Sequence, residues 1–139
     1  MAGMRIGYAF GSTELIKALN DVKFSFNSYT MNMTSIKYGV ASINDKAYFD
    51  ECVGKIIETR EKAKGSLTKL GFTFPDSKAN FIFATHKSVP AKEIFEKLKA
   101  KKIYVRYFNQ PGIDNYLRIT VGTDEQMDKL IQALSDIVA

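Results

Sequence analysis

Two arginines, Arg106 and Arg118, lie six residues to either side of Gly112. The Asn109-Gln110-Pro111-Gly112 stretch between them is built from turn-forming residue types. Folded about that glycine, the runs 103–108 and 116–121 make a strand pair with Arg106 opposite Arg118. Directly opposed residues share one face of an antiparallel pair, and like charges there repel. A guanidinium is a planar fork that grips carboxylate or phosphate through paired hydrogen bonds. The pair, flanked by Tyr104, Phe108 and Tyr116, therefore suits an anion, while Leu117, Ile119 and Val121 take the opposite face toward the helices. On spacing alone a second reading stands beside it: two solvated arginines on an uncovered sheet, or ion pairs to Asp114 and nearby acids.

Other site chemistries find little material. His86 is the only histidine and Cys52 the only cysteine, far apart in sequence, so neither a zinc site nor an internal disulfide is expected. The net charge of +5 admits nucleic acid, and it equally fits a protein with phosphorylated or carboxylated ligands. The lysines at 62–69 and 97–102 are interleaved with Glu58, Glu61, Glu93 and Glu96, the pattern of solvated helix faces. With 45% hydrophobic and 25% charged residues, the chain has the composition of a globular domain. No apolar run reaches the ~18 residues of a membrane span and no signal-peptide pattern is present, so no membrane partner and a cytoplasmic location are expected.

Several elements must position the arginines. Residues 5–10 read as a short strand, followed by a helix over roughly 13–23 capped by Ser12 or Thr13, with Leu15, Ile16 and Leu19 on one face. Residues 24–30 read as an aromatic, polar loop, and a helix over Met33 to Ile43 is broken by Asn44-Asp45. Phe49, Val53, Ile56, Ile57, Arg60, Ala63, Leu67 and Leu70 recur at helical spacing, with Gly71 closing that long helix. From Phe72 the order becomes strand, strand, helix, strand, strand, helix. The strands are Phe72–Phe74, Ala79–Thr85, 103–108 and 116–121; Pro90 opens the first of the two helices. Thr123-Asp124-Glu125-Gln126 is a capping box for the last, whose apolar stripe is Met127, Leu130, Ile131, Leu134, Ile137 and Val138. The expected fold class is α+β: an antiparallel or mixed sheet with helices on one face, preceded by a long helix. Asn80, in an otherwise apolar strand, is expected to satisfy backbone between strands.

The opening run Met1-Ala2-Gly3-Met4-Arg5-Ile6-Gly7-Tyr8 resembles the segment that follows the cofactor lysine in fold-type I pyridoxal-phosphate aminotransferases. Residues 103–123 resemble the Val-Arg…Tyr-Leu-Arg-Ile-Thr-Val-Gly-Thr signature of the histidinol-phosphate aminotransferases. Phe72–Phe81, Phe26-Asn27-Ser28-Tyr29-Thr30 and Ala41-Ser42-Ile43-Asn44-Asp45 are similar to further segments of that family, in the same order. The resemblance implies pyridoxal 5′-phosphate as cofactor and a phosphorylated amino-acid substrate with a 2-oxo acid as partners in a homodimeric enzyme. It also implies a division into 1–32 (part of the large cofactor-binding domain), 33–71 (interdomain helices) and 72–139 (the carboxyl-terminal small domain). By the same resemblance Arg5 holds the cofactor phosphate, Arg118 the substrate α-carboxylate, and Arg106 the substrate phosphate. Tyr29 falls in a loop near the substrate and the neighbouring subunit, although packing within the loop explains it equally well.

No catalytic residue is assigned: the lysine that carries the cofactor is expected a few residues upstream of Met1, so this chain is expected to be part of a longer enzyme and inactive alone. Two other classes compete. One is a non-catalytic anion- or effector-binding or dimerisation domain using the arginine pair. The other is an RNA-binding module, disfavoured because the aromatic Lys/Arg-Gly-Phe/Tyr string of such sheets is absent.

Overall fold

The computed structural model describes residues 2–139; Met1, the first residue of the opening motif, lies outside them. A short 3-10 helix, Ala2–Met4, is followed by α1 (Thr13–Phe26), α2 (Met33–Asn44) and α3 (Lys46–Lys69). Then come β1 (Phe72–Thr73), β2 (Phe81–His86), α4 (Ala91–Ala100), β3 (Arg106–Tyr107), β4 (Leu117–Thr120) and α5 (Asp124–Val138). The chain divides into two compact units, 1–50 and 51–139.

The second unit holds the core. Its four strands form one sheet in the order β1-β2-β4-β3, and every neighbouring pair is antiparallel. This realises the α+β expectation, with the antiparallel choice made throughout. Period-two alternation decides which face is covered. In β2, Ile82, Ala84 and His86 are buried and Phe81, Phe83 and Thr85 are not. In β4, Leu117 and Ile119 are buried and Arg118 and Thr120 are exposed. The buried side meets Ile94 and Leu98 of α4, Met127, Leu130 and Leu134 of α5, and Ala63 and Leu67 of α3 in one cluster. Burying a Leu or Ile side chain is worth roughly 1.5–3 kcal/mol each, which makes this layer the source of the unit's stability.

Local signals explain the element ends. Thr123 and Gln126 make the reciprocal capping box of α5, at 3.3 and 3.0 Å. Gly71 adopts φ +87 after α3, the left-handed conformation that glycine takes without a Cβ penalty. Pro90 caps α4 without a side-chain bond; instead Asn115, from the hairpin loop, accepts from the Ala91 amide at 3.0 Å and donates to Thr85 Oγ1 at 3.2 Å. That cap depends on tertiary contact and has no local sequence signature.

Ser35, Thr59, Arg60 and His86 are the buried polar side chains among the described residues, and two of them tie the second unit together. Arg60, in the apolar stripe of α3, donates to Glu61 and, through Nη1, to the Ala79 carbonyl at 3.1 Å. His86 packs edge-on to Phe72. Its Nδ1 lies 3.3 and 3.0 Å from the amides of Ser88 and Val89 and so must accept, which leaves Nε2 to donate to the Leu70 carbonyl at 2.9 Å. The imidazole thereby ties the end of α3 to the end of β2.

The first unit differs from expectation in two places. Residues 6–12 form no strand, because among the described residues the first unit holds no other strand to complete a hydrogen-bond ladder. The aromatic stretch expected as a loop from residue 24 is still helical to Phe26, since α1 continues its own ladder through Asn27 N–H to the Lys23 carbonyl at 2.8 Å. In the second unit, Asn80 serves the sheet through its main chain: its carbonyl accepts from Val121 at 2.9 Å, while its side chain is exposed.

Candidate functional site

The hairpin register is the one the spacing predicts. Arg106 pairs with Arg118 and Tyr107 with Leu117 across β3 and β4, and Gly112 turns the intervening loop at φ +87. Both arginines are exposed on the face away from the helices. Among the described residues neither side chain makes an ion pair or a hydrogen bond, and Asp114 does not neutralise them. Two adjacent unneutralised guanidiniums raise the local positive potential, so an anion arriving there relieves their repulsion.

What lies under the arginines is aromatic. β2 pairs with β4 so that Phe83 faces Arg118 and Phe81 faces Thr120. The Arg118 guanidinium lies over the Phe81 ring at 5.4 Å, and that of Arg106 over Phe108 at 5.4 Å. Phe83 stacks on Tyr116 with centroids 4.7 Å apart and planes 9° from parallel, and it meets Phe108 edge-on at 6.3 Å. Phe81, Phe83, Phe108 and Tyr116 are each half-buried. The sheet thus carries an aromatic floor with two cations on it, open to solvent above.

Of the flanking aromatics expected from sequence, Phe108 and Tyr116 join this floor. Tyr104 does not: it is 75% exposed and makes no ring contact among the described residues. Phe81 and Phe83 were not legible as site residues, because the run containing them reads as apolar on both faces. Their signal was the alternation relative to Ile82 and Ala84, and only the β2–β4 pairing gives it a direction.

Arg5 and Tyr29 belong to the first unit. Arg5 follows the 3-10 turn at φ +58, an uncommon conformation for a residue with a Cβ. The carbonyl before it, that of Met4, accepts from Ser35 Oγ at 3.1 Å, and Ser35 N–H is capped by Asn32 Oδ1 at 2.7 Å. This fastens the Arg5 turn to the first turn of α2. The Arg5 side chain is exposed and free of ion pairs. Tyr29 is 91% exposed, and its amide donates to Asn27 Oδ1 at 3.0 Å, closing an Asx turn. No cluster of three or more metal-ligating side chains exists among the described residues, and no described helix is long and apolar enough to cross a membrane.

The family model for aminotransferases of class I and II matches residues 1–134. The chain belongs to this family. Its relatives agree: it is 49% identical over 138 residues to a histidinol-phosphate aminotransferase of Brachyspira hyodysenteriae, covering 99% of this chain and 39% of that protein. It is 52% identical over 134 residues to one from Acinetobacter baumannii, covering 96% and 37%. Among solved structures, a putative histidinol-phosphate aminotransferase from Erwinia carotovora atroseptica superposes with a TM-score of 0.83 at 26% identity, covering 98% of this chain and 38% of that one. The Sinorhizobium meliloti histidinol-phosphate aminotransferase, solved in complex with pyridoxal-5'-phosphate, gives 0.83 at 23% identity over 99% of this chain and 38% of that one, a likeness of fold. The chain therefore spans about two-fifths of the length of the curated relatives it matches. Neither the effector-domain nor the RNA-module reading is favoured by these findings.

Proposed function

We propose that this chain supplies the substrate-gripping part, and one cofactor contact, of a pyridoxal-phosphate-dependent histidinol-phosphate aminotransferase acting in the cytoplasm as a homodimer. In this reading residues 1–32 belong to the cofactor-binding domain, 33–71 to interdomain helices and 72–139 to the small domain. The observation that carries it is the opposed, unneutralised pair Arg106 and Arg118 on the open sheet face. Histidinol phosphate brings a phosphate and no carboxylate, whereas its 2-oxo acid partner brings an α-carboxylate. Arg106 takes the phosphate and Arg118 the carboxylate, each through the bidentate geometry of a guanidinium. By the family resemblance Tyr29 belongs to a loop near the substrate and the neighbouring subunit.

Arg5 fits a cofactor phosphate in the chemistry of its donors: its exposed, unpaired guanidinium stands on a turn whose backbone is tied to α2 by the Met4–Ser35 bond, and it offers one charged contact to such a group. When bound, pyridoxal phosphate supplies the electron sink for amino-group transfer. This chain's residues hold and orient the anionic ends so that the reacting carbon is presented in a fixed pose.

Titration of the chain with histidinol phosphate and with 2-oxoglutarate, followed by calorimetry, tests the assignment. Arg106→Ala should weaken the phosphate ester more than the oxo acid, and Arg118→Ala the reverse. A charged hydrogen bond is worth ~1.5–3 kcal/mol, so each preferred ligand should lose about 10-fold or more. Equal, small losses for both ligands in both variants would refute the division of labour.

A further inference from the structure

Two like-charged side chains placed opposite each other should splay apart into solvent. Here they do not lie over the residues directly across from them. Arg118 faces Phe83 in the β2–β4 register, yet its guanidinium sits over Phe81, the diagonal neighbour. The Phe83 ring is already occupied: Tyr116 stacks on its face and Phe108 meets it edge-on. Phe108, buttressed by Phe83, in turn carries the Arg106 guanidinium. Each arginine therefore has its own phenyl ring within the ~6 Å at which a cation is attracted to an aromatic face. No carboxylate competes for either cation among the described residues.

We infer that Phe81 and Phe108 are positioning residues that hold Arg118 and Arg106 apart and aimed outward, with Phe83 as their shared buttress. The assignment rests on the reading of the arginine pair as an anion clamp. A ring holds a guanidinium without neutralising it and, unlike a carbonyl, without taking up its N–H donors. An acid in the same place would hold the side chain equally well and cancel the charge the ligand needs. The rings also leave the edge N–H groups of each fork unbonded, so the donors remain available to a carboxylate or phosphate.

The test uses the whole chain, with the arginine side-chain N–H resonances read by nitrogen-edited NMR and inorganic phosphate as the probe. Phe81→Leu and Phe108→Leu keep apolar bulk and remove the ring; Phe81→Tyr and Phe108→Tyr keep the ring. In the wild-type chain the resonances of Arg106 and Arg118 should be ring-shifted. Phe108→Leu should abolish the shift at Arg106 alone, Phe81→Leu that at Arg118 alone, and each should weaken phosphate binding about two- to fivefold. The tyrosine variants should restore both shift and affinity. Should Phe81→Leu fold poorly, Phe108→Leu decides, because Phe108 lies outside the strands and outside the buried core. Arginine resonances unchanged in the leucine variants, or not restored by tyrosine, overturn the inference. A wild-type chain that shows the ring shifts but binds no phosphate sinks the clamp reading instead, with the positioning decided by the shifts.

Discussion

The two units of the chain are built from the same kinds of helix and bury very different amounts. In 51–139 a sheet offers a flat apolar face, and seven large side chains, Leu67, Ile82, Ile94, Leu98, Leu117, Ile119 and Leu134, are fully buried around it. In 1–50 the helices are as well capped, by Ser12 and Asn32, yet α1 buries no residue and α2 buries only Ser35. Leu15, Leu19, Val22, Phe26 and Ile43 are exposed there, although they are as apolar as the core of the other unit. Amphipathic periodicity thus makes a helix, but a second apolar surface is needed to turn its stripe into a core. The arginine pair sits on the unit that has such a core, where the strand register is held from behind.

The largest test of this contrast is a matched pair of truncations. Leu117→Ala in β4 should cost about 2–5 kcal/mol, the usual range for a fully buried leucine. Leu15→Ala in α1, at 64% exposure, should stay within about 0.5 kcal/mol. Denaturant unfolding measures both, and equal costs would erase the distinction between the units.

A smaller effect is expected at the polar tie inside the second unit. His86→Ala removes three part-buried hydrogen bonds, to the Ser88 and Val89 amides and the Leu70 carbonyl, at about 1–3 kcal/mol in all. Loss of amide protection at Val89 in hydrogen exchange would localise the damage. If Val89 stays protected, the imidazole is packing filler and its bonds are incidental.

Smallest of all is the acid response of the surface network that fastens the 74–80 loop to α3. Hydrogen bonds from Lys64, and then from Lys78, hold the Asp76 carboxyl down to about 2, below its ordinary 3.8. A depressed folded-state value means the contribution is fully present above about pH 3.8 and fades as pH falls toward 2. Asp76→Asn should therefore lower stability slightly at neutral pH and not at all near pH 2, flattening the acid limb by that same small amount, because the carboxylate is exposed and screened. An unaltered acid limb would show that the pair contributes nothing in solution.

Much of this was open to reading from local pattern. The capping box at Thr123, the stripe of α5, the Gly71 stop and the Arg106–Arg118 register all follow from residue types at short range, where backbone geometry leaves few alternatives. The pairing about Gly112 was legible because a hairpin's register follows from its turn. The expected strand at 5–10 failed for the complementary reason: a strand is defined by a partner, and pattern alone cannot provide one.

The sequence by itself determined the helices, the α5 capping box, the Gly71 stop and the hairpin, because each rests on contacts between residues close in the chain, and its motifs carry the family resemblance. Tertiary structure decided what lies beneath the arginines. Only the pairing of β2 with β4, strands separated by a helix and a third strand, turns Phe81 and Phe83 toward the charged face and Ile82 and Ala84 into the core. It likewise decided that Asn115 caps α4 across 24 residues and that Arg60 is buried against the Ala79 carbonyl. These are long-range choices, set by which surfaces can be covered together.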